Sequence, residues 1–73
     1  MSQEKSLSIR QRLAKNIIEY RDKAKLKREA LSLALSMDNS YISKVEKCRV
    51  NVPIDRIEMI ANYFGVDVLD LLK

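Results

Sequence analysis

Arg28-Glu29-Ala30-Leu31-Ser32-Leu33-Ala34-Leu35-Ser36-Met37-Asp38-Asn39-Ser40-Tyr41-Ile42-Ser43-Lys44-Val45-Glu46-Lys47 holds two short amphipathic patterns with a break between them. Leu31 and Leu35 stand one helical turn apart, which predicts a helix over Arg28–Leu35. Ser36-Met37-Asp38-Asn39-Ser40 interrupts the period, and Asp38 is placed to cap a further helix over Asn39–Lys47, with Ile42 and Val45 as its buried face. Leu31, Leu35, Met37, Ile42 and Val45 supply the apolar contact of two helices that cross steeply. Ser32 falls where they come closest, and a bulky side chain there would drive them apart.

The same periodicity extends on both sides. Ile9, Leu13, Ile17 and Tyr20 recur at spacings of three and four, so a helix is expected from about Ser8 to Lys23, with its N-cap oxygen from Ser6 or Ser8. Residues 1–7 read as a flexible arm before a domain at 8–73. After the loop Val50-Asn51-Val52, Pro53 suits the first turn of a helix, because the missing N–H has no intrahelical partner there. That helix spans Ile54–Phe64, with Ile54, Ile57, Ile60, Ala61 and Phe64 as its apolar stripe and Gly65 as a left-handed cap. Asp67 caps a last helix over Val68–Leu72. Gly65 and Pro53 are the single glycine and proline, and strand-like alternation is absent, so the fold class is all-α, a compact five-helix bundle.

With 73 residues, 47% hydrophobic and 33% charged, the chain has the composition of one small globular domain. A domain of this size buries only about 60% of the surface of its unfolded chain, so its stability is marginal. No apolar run approaches the roughly 20 residues of a bilayer span, and the polar start lacks a signal peptide's apolar stretch, which predicts a cytoplasmic protein without membrane contact. Cys48 is the single cysteine and histidine is absent, so neither a disulfide within the chain nor a Cys/His metal site is available. Without histidine, a sequence-level base for Cys48 or a Gly-rich phosphate loop, an enzyme is excluded and no cofactor is expected.

Net charge is +4, unevenly distributed. Residues 1–51 carry 12 Lys/Arg against 6 Asp/Glu, and residues 52–73 carry 2 against 4. A basic first part at +6 and an acidic end at −2 suit a surface that meets a polyanion and another that does not.

Two short helices joined by a tight turn form a helix-turn-helix, whose second helix enters the major groove while the first crosses the backbone. Tyr41-Ile42-Ser43-Lys44-Val45-Glu46-Lys47 and Ile60-Ala61-Asn62-Tyr63-Phe64-Gly65-Val66 resemble the YISKIE and IAKALGV motifs of the phage-repressor and Cro-like (XRE-type) regulators. The resemblance runs from about Ile9 to Leu72. It implies a lambda-repressor-like bundle and a sequence-specific transcriptional regulator, of the repressor type, that binds double-stranded DNA. Lys27 stands where the family usually has Ser or Thr. Ser36 and Cys48 stand where it usually has glycine, so those helix ends are expected to be built differently, by a shift of the ends or by tolerated strain of order 1 kcal/mol.

Carried over residue by residue, the resemblance makes Asn39, Ser40 and Lys44 the side chains that face base edges. Such assignments suit the chemistry, since Asn pairs with adenine N6 and N7, Lys donates to guanine O6 or N7, and Ser serves either. Tyr41 and Ser43 are expected at the border between bases and backbone, and Arg28, Lys47, Arg49 and Asn51 on phosphates. Arg21 and Glu46 match the family's buried ion pair. A single recognition helix reads few base pairs, so a homodimer on an inverted repeat is expected, joined through Val68, Leu69 and Leu72. Leu33 and Leu69 replace usually polar positions, which leaves a second reading open: a protein-interaction module of the same fold, such as an antitoxin or anti-repressor, with a protein partner.

Overall fold

Ser8 opens the first helix of the computed structural model, which describes residues 7–73. Its hydroxyl accepts the Gln11 backbone N–H at 3.1 Å, and the Gln11 side chain accepts the Ser8 N–H at 2.8 Å. This reciprocal box satisfies two donors that a helix start leaves orphaned. Helix α1 then runs Ile9–Lys23. The alternative cap, Ser6, lies outside the described residues, as does the expected arm apart from Leu7.

Four further helices follow: α2 over Arg28–Ala34, α3 over Tyr41–Glu46, α4 over Ile54–Phe64 and α5 over Val68–Leu72. The bounds of α4 and α5 are those expected. Helix α2 ends one residue early, and α3 is shorter at both ends than the expected Asn39–Lys47. Asp38 does not cap α3. Its carboxylate accepts the Ser40 hydroxyl and its carbonyl accepts the Tyr41 N–H, which closes a turn through Asn39 and Ser40 before the helix begins. Pro53 stands at the N-cap of α4 instead of inside its first turn, and its carbonyl receives the Arg56 and Ile57 N–H groups.

One core joins all the helices. Leu13 and Ile17 of α1, Leu31 of α2, Leu35 and Met37 after it, Ile42 and Val45 of α3, Ile57, Ile60 and Ala61 of α4, and Leu71 of α5 are buried together. A fully buried Leu or Ile contributes about 1.5–3 kcal/mol, so this cluster supplies most of the drive to fold. Ile9 and Ile54, expected in the apolar stripes, are exposed instead. Each opens its helix, where the stripe has run past the last neighbour able to cover it. Tyr20 stacks on Phe64 with ring centroids 5.6 Å apart, which seals α1 against α4. The buried Asn16 was not foreseen: its amide donates to the carbonyls of Leu71 and Lys73, closing the end of α5 from α1.

Four helix ends share one geometry. Lys25, Ser36, Cys48 and Gly65 all have φ between 55° and 71°. In each case the next residue's N–H reaches back five positions, from Leu26 to Arg21, Met37 to Ser32, Arg49 to Lys44 and Val66 to Ala61. These are Schellman closures. The ends at Ser36 and Cys48 are thus built as glycine would build them, with the strain tolerated. Leu26, Met37 and Val66, which follow three of the left-handed residues, pack on the core and offset that strain.

Candidate nucleic-acid interface

Ser32 sets the α2–α3 pair. It is fully buried, its hydroxyl donates to the Arg28 carbonyl at 3.0 Å, and the same oxygen accepts the Ile42 backbone N–H at 3.1 Å. The two helices are therefore joined by a hydrogen bond at their closest approach as well as by Leu31, Ile42 and Val45.

This crossing places the start of α3 beside the start of α2. Arg28, Asn39, Ser40 and Ser43 line one cleft with Arg21, Lys27 and Glu29. Asn39 and Lys44 are exposed, while Ser40 and Ser43 are half-buried. Lys44 lies outside that cleft but close enough to Asp38 for its charge to be felt there. The Ser40 hydroxyl, first of all, with a backbone hydrogen bond and the Lys44 charge, holds the Asp38 carboxyl below its ordinary value against a small opposing effect of burial.

Tyr41 does not stand at the border of this surface. It is buried, because it lies four residues before Val45 and so shares the core-facing side of α3. Its hydroxyl is buried without a hydrogen-bond partner, and the Arg56 guanidinium lies 4.7 Å over its ring. The aromatic face thus holds a cation that the sequence pattern did not single out.

Arg28, Lys47, Arg49 and Asn51 are all exposed. Lys47 occupies the C-cap of α3, and Arg49 and Asn51 follow in the loop to α4. The Arg10 guanidinium of α1 donates to the Asn51 side-chain carbonyl, and the Cys48 thiol contacts the Arg10 carbonyl at 3.8 Å. Arg10 therefore joins this edge from 41 residues away. Its sequence position on the polar side of α1 gave no signal of that contact.

Arg21 and Glu46 form an ion pair between α1 and α3. Nε of Arg21 lies 2.8 Å from Oε2 and Nη2 lies 3.4 Å from Oε1, while Nη1 donates to the Leu26 carbonyl at 2.9 Å. The Glu46 side chain is only 4% exposed and that of Arg21 15%, so the carboxylate depends on the arginine for its charge balance. The guanidinium edge also lines the cleft beside Arg28 and Asn39.

Two short helices crossed at a buried serine, with polar side chains gathered at the start of the second, define a helix-turn-helix. A helix-turn-helix family model matches residues 17–71, and the chain belongs to that family. The crystal structure of a hypothetical transcription factor from Neisseria superposes with a TM-score of 0.87 at 32% identity, over 90% of this chain and 76% of that one. A restriction-modification controller protein from Aeromonas hydrophila shares the fold at a TM-score of 0.78 and 24% identity, over 85% and 94% of the two chains. The clp gene regulator from Corynebacterium glutamicum does so at 0.81 and 21%, over 90% and 70%. Among curated proteins, no sequence matches the chain. The protein is a DNA-binding transcriptional regulator of the XRE type. Among the described residues no helix is long and apolar enough to cross a membrane.

Proposed function

We propose that α3 enters the major groove of double-stranded DNA, where Asn39, Ser40 and Lys44 face base edges and Ser43 stands at the border with the backbone. The observation that carries this reading is the gathering of Arg28, Asn39, Ser40 and Ser43 in one cleft at the α2–α3 junction. Arg28, Lys47, Arg49 and Asn51 flank that junction and take phosphates, which positions the helix without reading sequence. Arg21 leans toward the same backbone while Glu46 holds it. Tyr41 has no part in contact, since its side chain is committed to the core.

The regulator acts in the cytoplasm as a homodimer on an inverted repeat, joined through α5. The second reading, a module that clasps another protein, is favoured by one feature: Leu33 on α2 is 64% exposed. That role is compatible with DNA binding through α3.

The test compares two alanine variants on the selected site and on random duplexes. Asn39→Ala is expected to lose about 1–3 kcal/mol on the site and little on random DNA, whereas Arg49→Ala weakens both alike and lowers the salt dependence. An unchanged ratio of specific to random affinity in Asn39→Ala would refute the placement of α3.

A further inference from the structure

The turn into α3 carries a side-chain pair with a fixed hydrogen-bond polarity. Ser40 Oγ lies 2.8 Å from Asp38 Oδ2. An ionised carboxylate only accepts, so the Ser40 proton is the one between them. Asp38 is exposed, and an exposed aspartate is ionised at neutral pH. The Ser40 oxygen is left with lone pairs alone to offer outward.

We infer that Asp38 and Ser40 act together as an acceptor-only reader that selects, at one position of the DNA site, a base with an exocyclic amine in the major groove. Those bases are cytosine, through N4, and adenine, through N6. Guanine presents N7 and O6 and thymine presents O4, all acceptors, so either would set lone pairs against lone pairs beside a carboxylate. A serine alone discriminates poorly, because its hydroxyl turns to donate or accept as the base requires. Asp38 removes that freedom. The same pair excludes a phosphate at Ser40, which has no proton to give it and a negative charge next to it. Asp38 is thus a specificity-determining residue acting through Ser40. The inference rests on the proposed orientation of α3, with Ser40 toward the bases.

The test is a selection of bound duplexes from a random pool with the native chain and with Asp38→Ala, Ser40→Ala, Asn39→Ala and Lys44→Ala. At one position the native chain is expected to enrich cytosine or adenine. Asp38→Ala, which frees the hydroxyl, admits guanine and thymine there and leaves the other positions as they were, and Ser40→Ala loses the same preference. A second measurement uses the native protein on a duplex in which that base lacks its amine, purine for adenine or pyrimidin-2-one for cytosine. Affinity is expected to fall by roughly two- to tenfold, the worth of one hydrogen bond, and Ser40→Ala is expected to be indifferent to the change. Guanine or thymine at the Ser40-dependent position overturns the inference, as does loss of the amine felt equally by native and Ser40→Ala chains. Preferences moved by Asn39→Ala and Lys44→Ala but untouched by the other two variants overturn it while the orientation of α3 stands. Preferences untouched by all four overturn that orientation and the inference with it.

Discussion

The Ser32 hydroxyl of α2 caps α3, accepting the backbone N–H of Ile42 at 3.1 Å. Ile42 is the second residue of α3, one of the first-turn donors that a helix cannot satisfy internally. Ser40 at the N-cap makes no side-chain cap bond to α3, so the neighbouring helix supplies the oxygen. Removing it in Ser32→Ala strands a buried N–H and is expected to cost about 1–3 kcal/mol in denaturant melts. Hydrogen exchange should rise first at the Ile42 amide. Ser32→Val adds overpacking of about 1–3 kcal/mol at the same crossing and should be the worse variant. A Ser32→Ala chain as stable as the native one would mean that water replaces the bond.

The Arg21–Glu46 pair is expected to fail asymmetrically. Arg21→Met strands a carboxylate that is 4% exposed and also removes the donor to the Leu26 carbonyl. A loss of about 3–5 kcal/mol is expected, enough to unfold a domain this small. Glu46→Leu leaves an arginine that keeps Leu26 and reaches solvent, so its loss should be smaller. The double variant should be more stable than Arg21→Met alone. Additive changes across the cycle of single and double variants would show that the two residues are uncoupled.

Left-handed strain can be measured in both directions. A Cβ added at Gly65 meets nothing within 4 Å, so Gly65→Ala should be destabilised by strain alone, about 1 kcal/mol. Ser36→Gly relieves the same strain at φ 59°, and the greater freedom of glycine in the unfolded chain offsets part of the gain. A net stabilisation below about 1 kcal/mol is expected. Thermal melts read both changes as opposite shifts of a few degrees. A Ser36→Gly chain that melts lower would mean that the serine makes a compensating contact.

How far each element could be read in advance follows from the range of the interactions that make it. The bounds of α4 and α5 rest on Gly65 and Asp67, whose effects are local, and these were legible. The small residue demanded at Ser32 was legible from spacing, but its cap on Ile42 was not, because the acceptor comes from another helix ten residues away. Asp38 has the right identity and offset for an N-cap. It forms a side-chain pair with Ser40 instead, a choice that local propensity does not encode. Tyr41 is readable in principle, since a position four before Val45 faces the core, whereas the family resemblance alone places it at the border of the DNA surface. Asn16 and Arg10 act across 55 and 41 residues, and nothing in their neighbourhoods signals either contact.

The dimer proposal turns on Leu69. Of the three residues expected at the contact, Val68 and Leu72 are half-buried against the chain's own core, whereas Leu69 is 68% exposed. It has not folded back onto the core, so a large apolar side chain faces water on the last helix, within the acidic end of the sequence. In a two-fold dimer the same patch meets itself, and Leu69 against its symmetry mate buries both. Such a contact would set two α3 helices about 34 Å apart, one turn of the duplex. Leu69→Glu places like charges across the axis without touching the core. Sedimentation should show loss of the dimer, and operator affinity should fall while circular dichroism keeps its helical signal. Leu72→Glu would confound this by disturbing the core, so Leu69 is the informative position. An unchanged dimer in Leu69→Glu would move the interface elsewhere, with the exposed Leu33 next to test. A native chain that stays monomeric even on its operator would refute the dimer altogether.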